Sequence, residues 1–589
     1  EGCSYEQCNY PECSGSGGVS SVTCEQPTEQ CEGEVGGPVN LATGSMWYEA
    51  KPDLVHKAPH RFEMKRGYWS RRAEYDRAHG TQSIVGPGWG TVIDQSLEIL
   101  DFGADGQLVS AFRWNGRIDR FWNTSAGGAY LTEPGNRRKY LGKSGGDFYL
   151  ADEDGTQYWF KTSGGVGKLF RIREPRDPQG RLDVNICYGT ATSCSCSGTP
   201  AAGALPCQIV PSAGPAVFVN VDQQSGLLSS LTWVAFAGQT GAETIATYGY
   251  SNGRLTSFTR GVTAPVETTQ YAYDEIYLAS VVGPGSIPVE SHVWGDGSNG
   301  SCDQGDFCRV VQTTTPETTY EITYLSGATR VLDVNDPTVD YTVAFNGNNQ
   351  VTSITGGGCQ SNIVGYAYGT DFEPQAVLHA DGTYTSYQRD YRGRPIKQVA
   401  GDNDSNPSNQ PPAGARVTEF IYSTTSYRND LLAVVREGVL EVDGAIRDTP
   451  AKKKTFAVLD FNDTPALSTC TDSDYCAPTD FGSTSAGQPA RSVRVGFTRD
   501  ENGLVVPKAI ATTFGYTDGR LSLVDDPEGG RTLLLYYSQG AEELFGRPSE
   551  MRRQLGSSTT GRKITQFIEY DRFGNLKKIR EGALYSSVS

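Results

Sequence analysis

Tyr248-Gly249-Tyr250-Ser251-Asn252-Gly253-Arg254-Leu255 returns twice along the chain, as Phe514-Gly515-Tyr516-Thr517-Asp518-Gly519-Arg520-Leu521 and as Tyr570-Asp571-Arg572-Phe573-Gly574-Asn575-Leu576. Looser copies sit at Tyr271-Ala272-Tyr273-Asp274, at Tyr366-Ala367-Tyr368-Gly369 and at Tyr387-Gln388-Arg389-Asp390-Tyr391-Arg392-Gly393-Arg394-Pro395. Aromatic residues two apart point to one face of a strand, and the Gly that follows accepts positive φ. Each copy therefore predicts strand, tight turn, strand. The alternation continues in Tyr320-Glu321-Ile322-Thr323-Tyr324 and in Tyr341-Thr342-Val343-Ala344-Phe345, after which Asn346-Gly347 supplies the strongest short hairpin signal.

A lone hairpin is marginal in water, so the copies must pair edge to edge and bury one aromatic face jointly. The expected fold is all-β: antiparallel hairpin repeats forming a curved, spiralling sheet, an open band or partial shell, behind a Cys-rich irregular N-terminus. Its repeat-core aromatics are Tyr248, Tyr250, Tyr271, Tyr273, Tyr366, Tyr368, Phe514, Tyr516 and Tyr570. About 400 residues in strands about ten residues long make roughly 40 strands, a strip about 190 Å long at about 4.8 Å spacing. One turn around a cavity about 50 Å wide uses about 160 Å of that strip. The expected object is an open band with two free edges, which must be capped, charged or paired with another chain.

The phrase resembles the YD repeats of the RHS (rearrangement hot spot) family, which includes bacterial polymorphic toxins, shell components of insecticidal toxin complexes and the teneurins. Upstream, Gly36-Gly37-Pro38-Val39-Asn40-Leu41-Ala42-Thr43-Gly44, then Arg66-Gly67-Tyr68-Trp69-Ser70, then Gly86-Pro87-Gly88-Trp89-Gly90 with Asp94 and Leu97, look like the β-rich domain that precedes RHS repeats. The resemblance covers roughly residues 36–589. It implies a spiralling β wall that acts as a scaffold or shell.

Six of the eight tryptophans, Trp47, Trp69, Trp89, Trp114, Trp122 and Trp159, fall within residues 36–175, which predicts a well-packed pre-repeat β domain there. Before it, residues 1–35 form a Cys-rich segment held by bridges rather than by a core. After it, 176–215 reads as a Cys-containing loop insertion, 216–400 as the repeat strip, 401–415 as a surface loop and 416–589 as the strip continued.

Gly 70 and Tyr 31 against Met 3 agree with a β-rich chain. A net charge of -17 over 589 residues opposes nucleic acid and anionic membranes as partners. No apolar run reaches the length of about 18 residues that spans a bilayer, so direct membrane insertion is not expected. Among 14 cysteines, Cys3, Cys8, Cys13, Cys24 and Cys31 crowd the start; Cys187, Cys194, Cys196 and Cys207 share one loop; Cys302 with Cys308 and Cys470 with Cys476 are close pairs. Such spacing predicts local disulfides and an oxidising compartment, with Cys359 left over and connectivity open. Zinc fits less well, because no Cys-x-x-Cys occurs and His56, His60, His79, His292 and His379 are not interleaved with cysteines. Glu1-Gly2-Cys3 shows neither the basic start nor the apolar core of a signal peptide.

Catalytic signatures are missing: no Gly-x-Ser-x-Gly elbow, no phosphate-binding Gly-rich loop and no His-Glu-x-x-His. His56 and His60 have i,i+4 spacing, but Pro59 between them opposes a metal-binding helix face. Acidic turns at Asp333-Val334-Asn335-Asp336, Asp402-Asn403-Asp404 and Asp460-Phe461-Asn462-Asp463 offer oxygens to Ca²⁺, yet lack the closing Glu of an EF-hand and match ordinary turns better. Asp526-Pro527-Glu528-Gly529-Gly530 is similar to the Asp-Pro-x-Gly-Leu self-cleavage motif of the family. Gly530 replaces its Leu, and a turn is the better reading. Aromatic stripes at strand spacing could bind sugar, but packing against the next hairpin is their usual role.

The expectation is a non-enzymatic, secreted or cell-surface scaffold without resident cofactor. Its partners would be other protein chains, including self-association through sheet edges, with a surface glycan as a second class. The alternative is the N-terminal part of a toxin-delivery shell, and a weaker one is a carbohydrate-binding or carbohydrate-processing β protein.

Overall fold

The computed structural model describes most residues between Glu34 and Tyr585, leaving out 1–33, 586–589 and a set of internal segments of which the longest is 461–490. The chain is almost wholly antiparallel β. From strand Ser96–Asp101 to strand Leu576–Tyr585, every strand joins one continuous sheet in which sequence neighbours pair. The predicted all-β curved sheet is therefore what forms.

The spiral starts at strand Val166–Arg173. One of its edges pairs with Gln157–Ser163 along most of its length. The other edge is divided: Val166, Gly167 and Lys168 face Glu98, Leu97 and Ser96, whereas Arg171 and Ile172 face Asn185 and Val184. The first turn thus closes on its own beginning through half a strand, and the other half hands the sheet onward. Gly167 makes this approach feasible, since a Cβ there would lie 2.9 Å from Leu97 Cβ. No register joins the last strand, Leu576–Tyr585, to anything but strand Arg562–Tyr570 among the described residues, so the sheet is an open spiral.

Coiling has a visible local cause. In hairpin after hairpin, the outgoing strand's last aromatic or apolar residue faces an apolar residue of the return strand, and one extra residue follows on that return strand. Val221 faces Leu228, Tyr250 faces Leu255, Tyr273 faces Leu278, Trp294 faces Val310 and Tyr516 faces Leu521. The extra residues are Ser229, Thr256, Ala279, Val311 and Ser522. A bulge bends its strand and raises the local twist, so its return at the same place in these hairpins curls the strip in one sense, while the hairpin of Thr319–Leu325 and Ala328–Asp333 pairs without one.

The hairpin turn at Asn252-Gly253 has positive φ at both residues, 50° and 76°, the mirror-image turn that matches strand twist. Asn346-Gly347 departs from that form. Positive φ falls instead on Asn349, and pairing resumes only at Phe345 with Val351. The cause is the Asn346 side chain: its Oδ1 accepts from the Asn348 N–H at 2.9 Å and the Gln350 N–H at 3.1 Å, which stabilises a wider loop.

Ahead of the spiral lies a small module. It comprises a three-stranded sheet, Trp47–Glu49, Arg66–Trp69 and Trp89–Thr91, with a hairpin of Leu54–His56 and Phe62–Met64. It also contains the one α-helix among the described residues, Ser70–His79. Sequence patterning does not predict this helix. Its buried residues are Ser70, Arg72, Ala73 and Asp76; an internal Arg72–Asp76 ion pair (2.8 Å) orients the two charges, and the helix packs through them, Asp76 accepting from the Gly88 N–H at 3.0 Å and Arg72 lying 4.4 Å from the Phe112 ring, rather than through an apolar stripe. Trp47, Trp89 and Trp114 are buried, while Trp69, Trp122 and Trp159 are half-buried. One hydrophobic cluster runs from Val39 to Phe420, so module and hairpins share a core.

Candidate functional site: the seam between module and spiral

The centre of the seam is a buried charge pair. Arg66 opens strand Arg66–Trp69 and Asp53 immediately precedes strand Leu54–His56, with its N–H donating to Met64 O at 2.8 Å. Arg66 Nε donates to both Asp53 oxygens, at 2.9 and 3.1 Å. From the spiral, Tyr248 donates its hydroxyl to Asp53 Oδ2 at 2.6 Å, and Tyr271 OH accepts from Arg66 Nη1 at 2.7 Å. Phe258, Tyr271 and Trp89 place their rings 4.3, 5.3 and 5.4 Å from the guanidinium carbon. Burial pushes the Asp53 carboxyl up, while Arg66 and the Tyr248 hydroxyl pull it back. For Arg66 burial works against the charge, but Asp53 more than offsets it and the guanidinium stays protonated.

Three stretches of the module dock on successive hairpins. Gly86 (φ 100°) presses on the Asn252-Gly253 turn, where a Cβ would lie 2.8 Å from Gly253 O. Nearby, Trp89 Nε1 donates to Tyr273 OH at 2.8 Å. Tyr68 OH donates to Ile276 O at 3.0 Å and accepts from the Leu278 N–H at 3.1 Å, while Tyr277 OH donates to Glu74 Oε1 of the helix at 3.0 Å. Burial, then Glu74, pushes the Tyr277 hydroxyl up to about 12. Thr329 Oγ1 donates to Leu41 O at 2.6 Å, and Gly44 O accepts from the Val310 N–H at 3.0 Å. Gly44 (φ 72°) is required there, since a Cβ would meet Arg309 Cβ at 2.4 Å. The contacts from Leu41 and Gly44 reach strands 309–333, whereas those from Asp53, Arg66, Tyr68, Gly86 and Trp89 gather on the hairpins between 248 and 278.

A second set of contacts ties each hairpin to the one before it. Tyr250 OH donates to Leu228 O (2.9 Å), Tyr273 OH to Leu255 O (2.8 Å), Trp294 Nε1 to Leu278 O (3.0 Å) and Tyr324 OH to Val310 O (2.7 Å). Far downstream, Tyr536 OH donates to Leu521 O at 2.7 Å. In all five the acceptor is the residue just before the bulge, whose disrupted ladder leaves its carbonyl available. The second aromatic of the pair is thus a clasp as well as a core residue.

The predicted residues are placed as follows. Tyr248 and Tyr271 are buried in the seam; Tyr250 and Tyr273 are half-buried clasps. Tyr366 and Tyr368 stack, with ring centroids 6.3 Å apart, and Phe514 is half-buried. The side chains of Tyr516 and Tyr570 lie outside the described residues, as do Cys3, Cys8, Cys13, Cys24, Cys31, Cys302, Cys359, Cys470 and Cys476. The four loop cysteines form interleaved bridges, Cys187–Cys196 and Cys194–Cys207, and Cys308 is disulfide-bonded. Of the acidic turns, Asp404 and Phe461-Asn462-Asp463 lie outside the described residues, and Asp333 and Asp402 spend their oxygens locally. Asp333 Oδ1 accepts from the Asn335 and Asp336 N–H groups at 2.8 and 3.2 Å, and Asp402 accepts from Ser386 Oγ and the Asn403 N–H at 2.6 and 2.8 Å. Asp526 and Gly530 close a turn through a 2.8 Å backbone bond, with the Gly530 N–H also donating to Asp526 Oδ1 at 2.7 Å. His56 sits in strand Leu54–His56, and His60 lies outside the described residues.

Asp53, Glu74 and Glu290 escape sequence reading. Glu290 and His292 lie two apart on the buried face of strand Ile287–Gly295, with His292 Nε2 3.5 Å from Glu290 Oε1. Neither ring nitrogen makes a hydrogen bond among the described residues. Two such groups could begin a catalytic or metal site, but no cluster of three or more His, Cys, Asp or Glu suited to a metal occurs among the described residues.

A family model described as a domain of unknown function, DUF6531, matches residues 36–121, the segment that carries the module. No curated protein matches the chain. Among solved structures, the crystal structure of TcdB2-TccC3 is similar at 10% identity over 92% of this chain and 34% of that one, with a TM-score of 0.29. The Photorhabdus luminescens Tc holotoxin pore with a mutated TccC3 is similar at 11% identity over 89% and 31%, with a TM-score of 0.23. The chain spans about a third of the length of either structure's chain.

Proposed function

We propose that the chain is a non-enzymatic extracellular scaffold of RHS type, whose coiled wall and sheet edges join other protein chains. The observation that carries this reading is the seam. Its ionisable and hydroxyl groups, the buried Asp53, Arg66, Tyr248, Tyr271 and Tyr277 and the half-buried Glu74, are tied to one another across about 200 residues of chain. The bridges Cys187–Cys196 and Cys194–Cys207 support an oxidising setting. Light scattering and negative-stain imaging of the purified, oxidised protein test it. Ordered assemblies that grow with concentration are expected; a strict monomer that turns over a substrate would overturn the reading.

A second reading makes the chain the first stretch of a toxin-delivery shell. It draws support from the wall itself, which still repeats the bulged pairing at Tyr570 with Leu576, the construction a longer wall would use. The native polypeptide's mass separates the two: near 63.6 kDa for a self-contained scaffold, twice that or more for a shell.

A further inference from the structure

We propose that the Cys187–Cys196 bridge is a thiol-exchange site: an incoming thiol is captured as a mixed disulfide on Cys196, and Cys187 leaves as a buried thiol. This goes beyond the scaffold reading and does not rest on it.

The two interleaved bridges of this loop differ in exposure. Cys187 belongs to strand Val184–Tyr188 and Cys207 to strand Pro206–Pro211, and both are buried, at 0% and 4% exposure. Cys194 is half-buried, whereas Cys196 is exposed together with Ser195, Ser197 and Gly198. Each bridge therefore joins a core cysteine to a loop cysteine, and of the two only Cys187–Cys196 has an exposed end. The loop is also held without that bridge. Tyr188 and Ser195 exchange two backbone bonds, at 2.9 and 3.0 Å, the Gly189 N–H donates to Leu205 O at 3.0 Å, and Ala204 and Leu205 pack on the core. A Cβ on Gly189 would meet Ser193 O at 2.5 Å, so the two limbs of the loop lie against each other. With Cys194–Cys207 intact, opening Cys187–Cys196 leaves Cys196 presented at the surface instead of releasing the loop.

Exchange proceeds by attack of a thiolate on one sulfur of the bridge, and access decides which sulfur is attacked. Attack falls on the exposed Cys196 Sγ, which makes Cys187 the leaving group. The bond between Cys187 and Cys196 breaks, one between Cys196 and the incoming sulfur forms, and Cys187 takes up the proton that the incoming thiol gave up; nothing else is oxidised or reduced. A buried free cysteine behaves as a small hydrophobe. Cys187 lies between the buried Ile186 and Tyr188 on a strand paired with Pro206–Pro211, so its released thiol is accommodated in place and shielded from solvent. The incoming group meets little charge from this segment. Between Asp183 and Asp222 the sequence holds no Asp, Glu, Lys, Arg or His, in a chain whose net charge is -17. An anionic thiol such as glutathione is therefore not turned away here as an acidic loop would turn it away. The attacking sulfur is that of a small thiol or of another protein's cysteine, and the chemistry is the same for both.

Incubating the full-length oxidised protein with reduced glutathione, blocking free thiols with iodoacetamide and mapping the peptides by mass spectrometry tests the proposal. Glutathione should appear on Cys196, Cys194–Cys207 should stay intact, and Cys187 should take up iodoacetamide only after denaturation. Cys196→Ser should lose the adduct. Cys187→Ala, which leaves Cys196 as a free thiol, should gain the same adduct from oxidised glutathione, so a folding defect in one variant does not hide the result. Repeating the incubation with a folded protein that carries one exposed cysteine separates the two sources: a cross-link at Cys196 assigns the site to protein thiols, and reaction with glutathione alone assigns it to small ones. An adduct on Cys194 or Cys207 ahead of Cys196, iodoacetamide reaching Cys187 in the folded protein, or a Cys187–Cys196 bridge that stays closed throughout would each overturn it.

Discussion

The hairpins between residues 243 and 333 and those between 505 and 554 follow one local design with different surroundings. Both carry the bulge, at Tyr250 with Leu255 and at Tyr516 with Leu521, and both carry the clasp, Tyr273 to Leu255 and Tyr536 to Leu521. The early hairpins lie against the module, so Tyr248, Tyr271 and Tyr277 are buried and engaged by Asp53, Arg66 and Glu74. Strand Arg531–Tyr536 has no buried residue. Coiling is therefore a property of the hairpin itself, and burial of its aromatic face is supplied by whatever the wall encloses. The same phrase can then serve as core in one place and as half-exposed wall in another.

Removing the module's charge from the seam should break this comparison most severely. Arg66→Ala leaves Asp53 buried opposite Tyr248 alone, which is expected to cost about 3–5 kcal/mol. Hydrogen exchange should accelerate in strands 243–251 and 267–274 while strands 531–536 and 548–554 keep their rates. Equal loosening of both regions would show that the wall is one cooperative unit. Acid should act in the same direction through a second buried carboxylate. Asp119 lies in a burying environment that would raise it, but Arg117 Nε at 2.8 Å, Lys139 at 3.1 Å and Arg113 at 3.8 Å hold it well below the usual carboxylate range. A depressed folded value means the stabilisation is complete above about pH 4 and is lost as pH falls further, through the folded value. Tryptophan fluorescence, through Trp114 and Trp122 beside it, should report the first spiral turn loosening below about pH 4, and Asp119→Asn should remove that step.

Glycine substitutions sharpen the contrast at smaller scale. Gly86→Ala places a Cβ 2.8 Å from Gly253 O at φ 100°, whereas Gly382→Ala meets nothing within 4 Å at φ 83°. Left-handed strain of about 1–2 kcal/mol applies to both. Only Gly86 adds a backbone clash worth about 1–3 kcal/mol more. Thermal melts of the two variants should differ accordingly; identical shifts would mean that the Gly86 contact yields without loss.

Hairpins were legible because period-two aromatics followed by Gly are a local signal, and the all-β spiral follows from pairing them in order. What joins the seam was not legible, since Asp53 and Tyr248 stand 195 residues apart and nothing local in Lys51-Pro52-Asp53 marks the acid as buried. Helix Ser70–His79 was hidden for a different reason: Ser-Arg-Arg-Ala-Glu-Tyr-Asp-Arg-Ala-His has no apolar face, because it packs through Asp76, bonded to the Gly88 N–H, and Arg72, set over the Phe112 ring. The wider loop at Asn346 reflects a side chain competing with the backbone for N–H groups, which the dipeptide Asn-Gly does not announce. The extra residues of the bulge carry no signature of their own, since Ser229, Thr256, Ala279 and Val311 share only their place in the register, each directly after an apolar residue.

The finest test compares one hydroxyl in each region. Tyr273 relays two bonds, accepting from Trp89 Nε1 at 2.8 Å and donating to Leu255 O at 2.8 Å. Tyr273→Phe strands a partner on each side of the seam and should cost about 1–3 kcal/mol. Tyr536 donates its clasp bond from a half-exposed strand, where water can replace the donor, so Tyr536→Phe should cost about 0.5–1 kcal/mol. Chemical-denaturation midpoints of the two variants read the difference. If Tyr536→Phe costs as much as Tyr273→Phe, the clasp rather than the enclosed module holds the spiral together, and the early hairpins would coil without anything inside them.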